Sequence, residues 1–485
     1  MLVALYTSRV VLNVLGVTDF GIYNLVGGVM AMLSFLNNSM SAATQRFINF
    51  ERASNDLKKI NVIFNLSLKN HFLIAFLVLI LGETIGLWFL NYKLVIPSER
   101  MFAANMVYQF SLLSTFFDIL RLPYGAVILA FEKMSFYAFL GIVETVNKIL
   151  IIIALLTVEN IDHLILYALL YFISSFLNNI LFYVYCNKYF REFIQLTKVS
   201  DKAKNKELLS FSGWTIFGQL SAIGANQGLS MMLNIFYGVI INAAIGIASQ
   251  INNAVFGFIS NFQIAFQPQI VQSFANQQYS RTRELTLNTS RFSFYLMAII
   301  SVPILFFTTN LLQLWLGDII PGNAVSFTQI ILFCSLLESL GGPYWMAIAA
   351  IGNMRKYNII ITIIEYATLP IAWLLIKNGY SIALVFSTKI TISFLMQTVR
   401  FVLVNKELQF GSKILLQYFK QITLVFLFVF SAFYFGNNNH PISIWSMFYY
   451  MFLIEVIFIL YIIILGTTRE ERKLGYNFLK NKLNF

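Results

Sequence analysis

Long apolar stretches recur along the whole chain and constrain its fold more than any other feature. Each is roughly 18 to 25 residues long, enough for an α-helix to cross a hydrocarbon core of about 30 Å. Because 58% of the 485 residues are hydrophobic and only 11% are charged, the composition excludes an ordinary soluble domain. A segment in lipid must satisfy its own backbone hydrogen bonds. The sequence therefore predicts an all-α integral membrane protein.

The apolar stretches predict about fourteen transmembrane helices. They lie near residues 1–16, 20–45, 70–91, 102–130, 135–157, 162–187, 209–235, 239–268, 287–312, 324–350, 356–377, 380–404, 418–435 and 443–466. The first stretch is short for a complete crossing.

Basic residues concentrate in every second loop, and the intervening loops carry few of them. By the positive-inside rule the basic loops face the cytoplasm. An even number of spans then places both termini in the cytoplasm. Membrane topology therefore explains the net charge of +12 better than nucleic-acid binding does. The basic set includes Lys58, Lys59, Lys69, Lys133, Lys188, Arg191, Lys202, Lys206, Arg281, Arg283, Arg355, Lys406, Arg469 and Lys473.

An internal duplication is visible when the chain is shifted by about 220 residues. Asp118, Pro123, Tyr124, Ala130, Met134 and Tyr137 fall on Glu338, Pro343, Tyr344, Ala350, Met354 and Tyr357. Glu144 falls on Glu365, residues 175–177 match 393–395, and residues 187–188 match 405–406. An offset of six spans preserves orientation, so the repeats are parallel and related by an axis along the membrane normal.

The duplication predicts four parts of the chain. Residues 1–187 form an N-terminal six-helix lobe, and residues 188–208 form a basic cytoplasmic linker. Residues 209–404 form a C-terminal six-helix lobe. Residues 405–485 add two helices and a basic cytoplasmic tail.

Charged residues inside the predicted spans need a partner, a wet cavity or a function, since each costs about 2.5 to 3.5 kcal/mol at a helix centre. Asp118 with Arg121, and Glu144 with Lys148, have helical spacing that lets each pair meet. One interpretation is two internally neutralised pairs that hold helices together. The C-terminal half keeps both acids but has Gly341 where the N-terminal half has Arg121, which leaves the N-terminal half with surplus cations.

Surplus cations predict a cavity that binds an anionic ligand. The candidate substrate-binding cations are Arg9, Arg46, Arg121, Lys148 and Lys389, and the candidate coupling or structural acids are Asp118, Glu144, Glu338 and Glu365. Arg46 could instead anchor at lipid headgroups, and Arg9 could snorkel toward the interface.

Polar residues also recur on single helix faces in the first, seventh and eighth spans. In the eighth span they follow steps of about seven and four, which places them on one side of a helix. Interhelical hydrogen bonding is the competing explanation. The predicted polar face of the cavity comprises Asn13, Asn226, Ser230, Asn234, Ser249, Asn253 and Ser260.

Metal and disulfide chemistry are not expected. Cys186 and Cys334 are isolated in apolar runs, and the three histidines have no partners at metal-ligand spacing. The sequence indicates no cofactor.

Two regions carry a family resemblance. The run LGVTDFGIYNL at 15–25 with SAATQRF at 41–47, and NAAIGIASQ at 242–250 with FQPQI at 266–270, resemble Wzx-type oligosaccharide flippases. These belong to the multidrug/oligosaccharidyl-lipid/polysaccharide (MOP) exporter superfamily. The resemblance covers nearly the whole chain but departs at the N-terminus, where the family has a longer lead-in.

The resemblance implies two six-helix lobes plus two helices in the bacterial inner membrane. It implies movement of an undecaprenyl-pyrophosphate-linked oligosaccharide to the periplasmic leaflet, by alternating access around a cationic cavity, for O-antigen, capsule or exopolysaccharide assembly. The implied partners are the lipid-linked oligosaccharide, membrane lipids and polysaccharide polymerase machinery. Coupling to protons or sodium through the four acids stays open.

Three other function classes remain. A drug/cation antiporter of the same superfamily would need a net acidic cavity, against which the surplus cations argue. A membrane glycan polymerase or ligase would need a long extracytoplasmic catalytic loop, and the outer loops between the predicted spans are short. A purely structural assembly partner would not require the polar faces or the duplicated acids.

Overall fold

The computed structural model describes residues 2–33, 44, 47–48, 51, 57–131, 133–158, 160–197, 199, 201–317, 319–352, 354–436 and 443–473. The side chains of 2–5, 57, 134, 210–222, 275 and 354–355 are outside this description. Within these residues the chain is helical and contains no strand. The predicted all-α fold is confirmed.

The described residues up to position 275 form nine helices. They are α1 (Leu2–Leu33), α2 (Leu57–Leu81), α3 (Leu87–Tyr92), α4 (Met101–Ala130), α5 (Met134–Thr157), α6 (His163–Tyr189), α7 (Arg191–Ile194), α8 (Lys202–Tyr237) and α9 (Val239–Ala275). A π-helical turn, Gly82–Gly86, joins α2 to α3, and a 3-10 turn, Ser98–Arg100, precedes α4.

The remaining described helices are joined by short connections as well. They are α10 (Tyr279–Phe306), α11 (Thr308–Leu316), α12 (Ala324–Ile351), α13 (Met354–Tyr366), α14 (Thr368–Lys377), α15 (Ile382–Leu408), α16 (Ser412–Gly436) and α17 (Ile444–Tyr461). A second π-helical turn, Ile462–Gly466, extends α17.

Twelve segments of the described chain are long and apolar enough to cross a membrane. Eleven of them coincide with the third to sixth and eighth to fourteenth predicted spans, and the twelfth, Tyr6–Met32, begins in the first predicted span and ends in the second. The predicted seventh span lies within α8.

Helix α1 is broken at Gly16. This residue has φ +73° and ψ 171°, which interrupts the helical backbone between two helical segments. Glycine adopts positive φ without the steric cost that a Cβ imposes. The break falls at the end of the first predicted span, so one glycine accounts for the division between the first two spans.

Each π-helical turn is closed by a tyrosine hydroxyl. Tyr108 donates to the carbonyl of Gly82 at 2.7 Å, and Tyr295 donates to the carbonyl of Gly466 at 2.7 Å. The Gly82 carbonyl also accepts from the backbone N–H of Leu87, so the Tyr108 hydroxyl is a second donor at a point where the regular helical pairing changes.

The chain divides into two compact units, residues 1–246 and 247–485. The core of the first unit includes Phe64, Ile128 and Phe182, all buried, and the second includes Phe294 and Phe458. The first unit includes α8, which packs on α1. The predicted lobe boundaries at 187 and 209 stay a prediction.

Candidate functional site

A charged cavity of about 200 Å³ lies among α4, α5 and α6. It is lined by Asp118, Arg121, Glu144, Lys148, Ile151, Tyr171, Ser174, Ser175 and Asn178. The structure therefore brings together four of the charged residues that the sequence singles out. Helical geometry explains the lining, because residues three or four apart share one face of α4 and one face of α5.

Asp118 and Arg121 form an ion pair on α4. The Nε atom of Arg121 lies 3.9 Å from Oδ1 of Asp118, too far for a hydrogen bond. Ser175 of α6 donates its hydroxyl to Asp118 at 3.0 Å. The Arg121 guanidinium lies 4.6 Å from the ring centroid of Phe182, a stacking contact that leaves the edge of the guanidinium available to a ligand.

Glu144 and Lys148 do not form the predicted closed pair. No ion pair joins them in the described structure, and both side chains are exposed while lining the same cavity. Spacing of four residues brings two side chains onto one face, but each keeps its rotamer freedom. Glu144 and Lys148 therefore line one cavity without a direct ion pair between them, and their mutual neutralisation stays a prediction.

Asn178 gives the cavity an unsatisfied polar group. Its side chain is only 8% exposed, and its Oδ1 atom has no hydrogen-bond partner. A buried acceptor without a donor costs about 1 to 3 kcal/mol. Nearby, Asn147 donates to the Ser174 hydroxyl at 3.0 Å. Amides, hydroxyls and charges around one cavity suit a hydroxylated, charged ligand.

The C-terminal half repeats the serine–carboxylate contact. Ser393 of α15 donates to Oε1 of Glu338 on α12 at 3.4 Å, as Ser175 does to Asp118. Ser393 is equivalent to Ser175 in the duplication, and Glu338 is equivalent to Asp118. Lys389, half-buried on α15, has its ammonium 5.4 Å from the Phe386 ring. Glu365 is half-buried on α13.

The other predicted site residues lie outside the charged cavity. Arg9 is half-buried and Asn13 exposed on α1, and Asn226 is exposed on α8. On α9, Asn253 is exposed whereas Ser249 and Ser260 are half-buried. Arg46 falls outside the described residues.

Asn234 does not fit its predicted place on a cavity face. It is 0% exposed. Its amide accepts from the Val95 backbone N–H at 2.9 Å and donates to Oδ1 of Asn242 at 3.0 Å. Asn242 in turn donates to the Ser230 hydroxyl at 3.0 Å. These residues link α8, α9 and the segment after α3, so Asn234 and Ser230 take part in hydrogen bonds between helices.

Arg400 is a charged residue that the sequence analysis missed. It lies on α15 inside the predicted twelfth span, donates to Gln397 Oε1 at 3.5 Å and faces the Tyr357 ring at 5.9 Å. The signal was present, because an arginine within a span is costly in itself. Lys389 and Arg400 both lie within predicted spans of the C-terminal half, as does Arg291, so the predicted cationic surplus of the N-terminal half is smaller.

A second missed feature is a pair of salt bridges from Arg100, in the 3-10 turn before α4, to Asp19 of α1 and to Asp162 at the start of α6. Arg100 donates to Asp19 Oδ1 at 2.8 Å and to Asp162 Oδ2 at 2.6 Å. Asp162 also accepts from the backbone N–H groups of Leu164 and Ile165 and so caps α6. The hydrogen bond from Arg100 lowers the pKa of Asp162. Among the described residues, no group of three His, Cys, Asp or Glu side chains could hold a metal ion.

No protein-family model and no curated protein sequence matches the chain. Solved structures do match. An inward-facing MATE multidrug resistance transporter of the MOP superfamily superposes with a TM-score of 0.71 at 13% identity, over 84% of this chain and 94% of that one. The lipid II flippase MurJ, in an inward closed conformation, superposes with a TM-score of 0.65 at 13% identity, over 94% of this chain and 95% of that one. A eukaryotic MATE transporter superposes with a TM-score of 0.57 at 12% identity, over 83% of this chain and 94% of that one.

These likenesses define the class of protein. The chain is a multi-pass, all-α membrane protein with the fold of the MOP superfamily. At such identities the agreement concerns the fold. The matching structures include both multidrug transporters and the lipid II flippase MurJ, so the function of this chain has to be argued from the cavity.

Proposed function

We propose that the protein is a transporter that moves an undecaprenyl-pyrophosphate-linked oligosaccharide from the cytoplasmic to the periplasmic leaflet of the bacterial inner membrane, by alternating access. The observation that carries this proposal is the cavity where Arg121 and Lys148 lie among hydroxyl and amide groups. The MurJ likeness over 94% of the chain supports it, as does the sequence resemblance to Wzx-type flippases.

The chemistry of such a cargo fits the cavity. A sugar headgroup with about two negative charges cannot cross hydrocarbon unaided, because buried charges and unpaired hydroxyls are costly. Arg121 offers planar donors that suit phosphate oxygens, and Lys148 adds a second positive charge. Ser174 and Asn178 supply partners for sugar hydroxyls. With a negative cytoplasm, outward passage is favourable by about 2.3 kcal/mol per charge per 100 mV.

The acids of the cavity have a defined role in this proposal. Asp118 and Glu144 place two negative charges beside the positive charges of Arg121 and Lys148 while the cavity is empty. When an anionic group binds, Arg121 and Lys148 pair with the ligand instead of with the carboxylates. The carboxylates then become available to a proton or sodium ion, which would couple ion movement to transport.

A drug/cation antiporter is the second candidate function. The observation that favours it is the presence of two carboxylates in the same cavity, together with the likeness to a MATE multidrug transporter. In that case Asp118 and Glu144 would hold a cationic drug, and neutralising them would abolish efflux.

Complementation tests the proposal. The gene is expressed in a bacterial strain that lacks its own oligosaccharide flippase, and surface polysaccharide is measured together with accumulated lipid-linked precursor. We expect the wild-type protein to restore polymer and clear precursor. Arg121→Gln and Lys148→Gln should each reduce export about tenfold or more, since a hydrogen bond to a charged group contributes roughly 1.5 to 3 kcal/mol.

Lys133→Gln is the matched control, because Lys133 is an exposed base outside the cavity. It should export like the wild type. Full export by both cavity variants would exclude the anion site. Wild-type protein that inserts in the membrane but leaves precursor, while conferring drug efflux that depends on Asp118, would favour the antiporter.

A further inference from the structure

In the C-terminal half, the Arg400 side chain occupies space above Gly341. A Cβ atom added to Gly341 would collide with Oε1 of Gln397 and lie 2.6 Å from a terminal nitrogen of Arg400. Gly341 is on α12, and the other two residues are on α15. The absence of a side chain at Gly341 therefore makes room for the guanidinium.

The duplication makes this contact informative. Gly341 corresponds to Arg121, because the pairs Asp118–Glu338 and Pro123–Pro343 bracket it at one offset. Arg400 corresponds to Phe182, bracketed by the matches 175–177 with 393–395 and 187–188 with 405–406. Arg121 stacks on Phe182 in one repeat, and Arg400 lies over Gly341 in the other. Equivalent positions touch, but the guanidinium comes from the opposite helix.

A third position changes with these two. Gln397 corresponds to Asn179. The longer glutamine side chain therefore occurs in the repeat that has Gly341, and the shorter asparagine side chain occurs in the repeat that has Arg121. The sets are Arg121, Asn179 and Phe182 in the N-terminal repeat and Gly341, Gln397 and Arg400 in the C-terminal repeat. Compensating changes in volume are what a close-packed interior requires.

The second cation shows the same exchange independently. Lys148 and Tyr171 line the charged cavity from α5 and α6. Their equivalents are Leu369 and Lys389, so the base again moves to the last helix of the repeat, α15. At these aligned positions each repeat has two acids and two bases, although the bases come from different helices.

Several donors in the cluster around Arg400 have no hydrogen-bond partner. Nε of Arg400 and Nε2 of Gln397 are buried and have no hydrogen-bond partner, and Gln397 is only 5% exposed. The buried Tyr357 hydroxyl beside Arg400 has no partner either. Unpaired buried donors require an acceptor, and a group rich in acceptors, such as phosphate, satisfies several at once.

We infer that Arg400 is the C-terminal counterpart of Arg121 and that it binds a phosphate group of the transported molecule within the second repeat, with Gln397 and Tyr357 as further donors. This inference rests on the proposed function for the identity of the cargo. The residues themselves define the chemistry of the site: a guanidinium, an amide and a phenol that bind an oxyanion.

The test uses purified full-length protein in detergent, with inorganic pyrophosphate as the probe and calorimetry as the measurement. All proteins carry Arg121→Gln, which removes the guanidinium of the N-terminal cavity. We expect this background to bind pyrophosphate, Arg400→Leu to weaken binding at least about tenfold, and Lys413→Leu, an exposed base on α16, to leave it unchanged. If Arg400→Leu does not fold, Arg400→Lys replaces it and should also weaken binding, because it loses the planar donor fork.

The decisive variant combines Gly341→Arg, Gln397→Asn and Arg400→Phe, which copies the N-terminal residue set into the C-terminal repeat. We expect it to recover pyrophosphate affinity to within about threefold of the background. No binding in the background, binding that is insensitive to Arg400, or a triple variant as weak as Arg400→Leu would each overturn the inference. The binding test involves no glycan. If complementation fails but pyrophosphate binding still depends on Arg400, the proposed function is rejected and the inference about Arg400 stands.

Discussion

At the scale of single residues, a polar side chain in a membrane helix either serves packing or serves the cavity, and the two roles predict different measurements. Asn234 is fully buried and bonded to Val95 and Asn242. Asn253 is exposed on α9. Both were predicted for one polar cavity face, so they form a matched pair with the same chemistry in different surroundings.

We predict that Asn234→Leu destabilises the protein and Asn253→Leu does not. Removing the Asn234 amide leaves the backbone N–H of Val95 and Oδ1 of Asn242 without their partners, at about 1 to 3 kcal/mol for each group. The measurement is thermal unfolding of the purified protein in detergent. Equal melting temperatures for the two variants would contradict the structural role of Asn234.

The same scale shows what sequence reasoning can reach in the site. Asp118, Arg121, Glu144 and Lys148 were predictable because a charge within a span is costly wherever it points. Asn178 and Tyr171 were not, since neutral polar residues are common in membrane helices and their direction depends on neighbouring helices. Helical spacing placed Glu144 and Lys148 on one face but could not fix their rotamers.

At the scale of helices, close approach in the first unit depends on small residues. A Cβ atom on Gly21 of α1 would collide with the backbone carbonyl of Val239 at the start of α9. Gly27, on the same helix, has nothing within 4 Å of the equivalent position. Small residues allow helix backbones to approach closely in membranes.

We predict that Gly21→Ala lowers the melting temperature and that Gly27→Ala leaves it unchanged or raises it. The first change forces one backbone away from another, which costs about 1 to 3 kcal/mol. The second only replaces glycine within a helix, a gain of roughly 0.5 to 1 kcal/mol. Thermal unfolding in detergent again provides the measurement, and a destabilised Gly27→Ala variant with an unaffected Gly21→Ala variant would refute the contact.

At the scale of the whole molecule, the duplication was readable because proline and acidic residues keep their order through both halves. Its consequences in three dimensions were not readable. The exchange of Arg121 and Phe182 for Gly341 and Arg400 leaves no identity for an alignment to detect, and only the contact across two helices reveals it. The hydrophobic pattern predicts individual helices, whereas compensation between helices requires their packing.

Orientation is the remaining property of the whole molecule, and the charge pattern makes a definite prediction. If the basic loops face the cytoplasm, Lys206 in the predicted linker is cytoplasmic and Ser98, before α4, is periplasmic. Both side chains are exposed, whereas the native Cys186 and Cys334 are buried. In intact cells an impermeant maleimide should label Ser98→Cys at once and label Lys206→Cys only after permeabilisation. The reverse pattern would invert the topology, and the proposed cargo would then have to enter from the periplasmic side, which is incompatible with export of a precursor made in the cytoplasm.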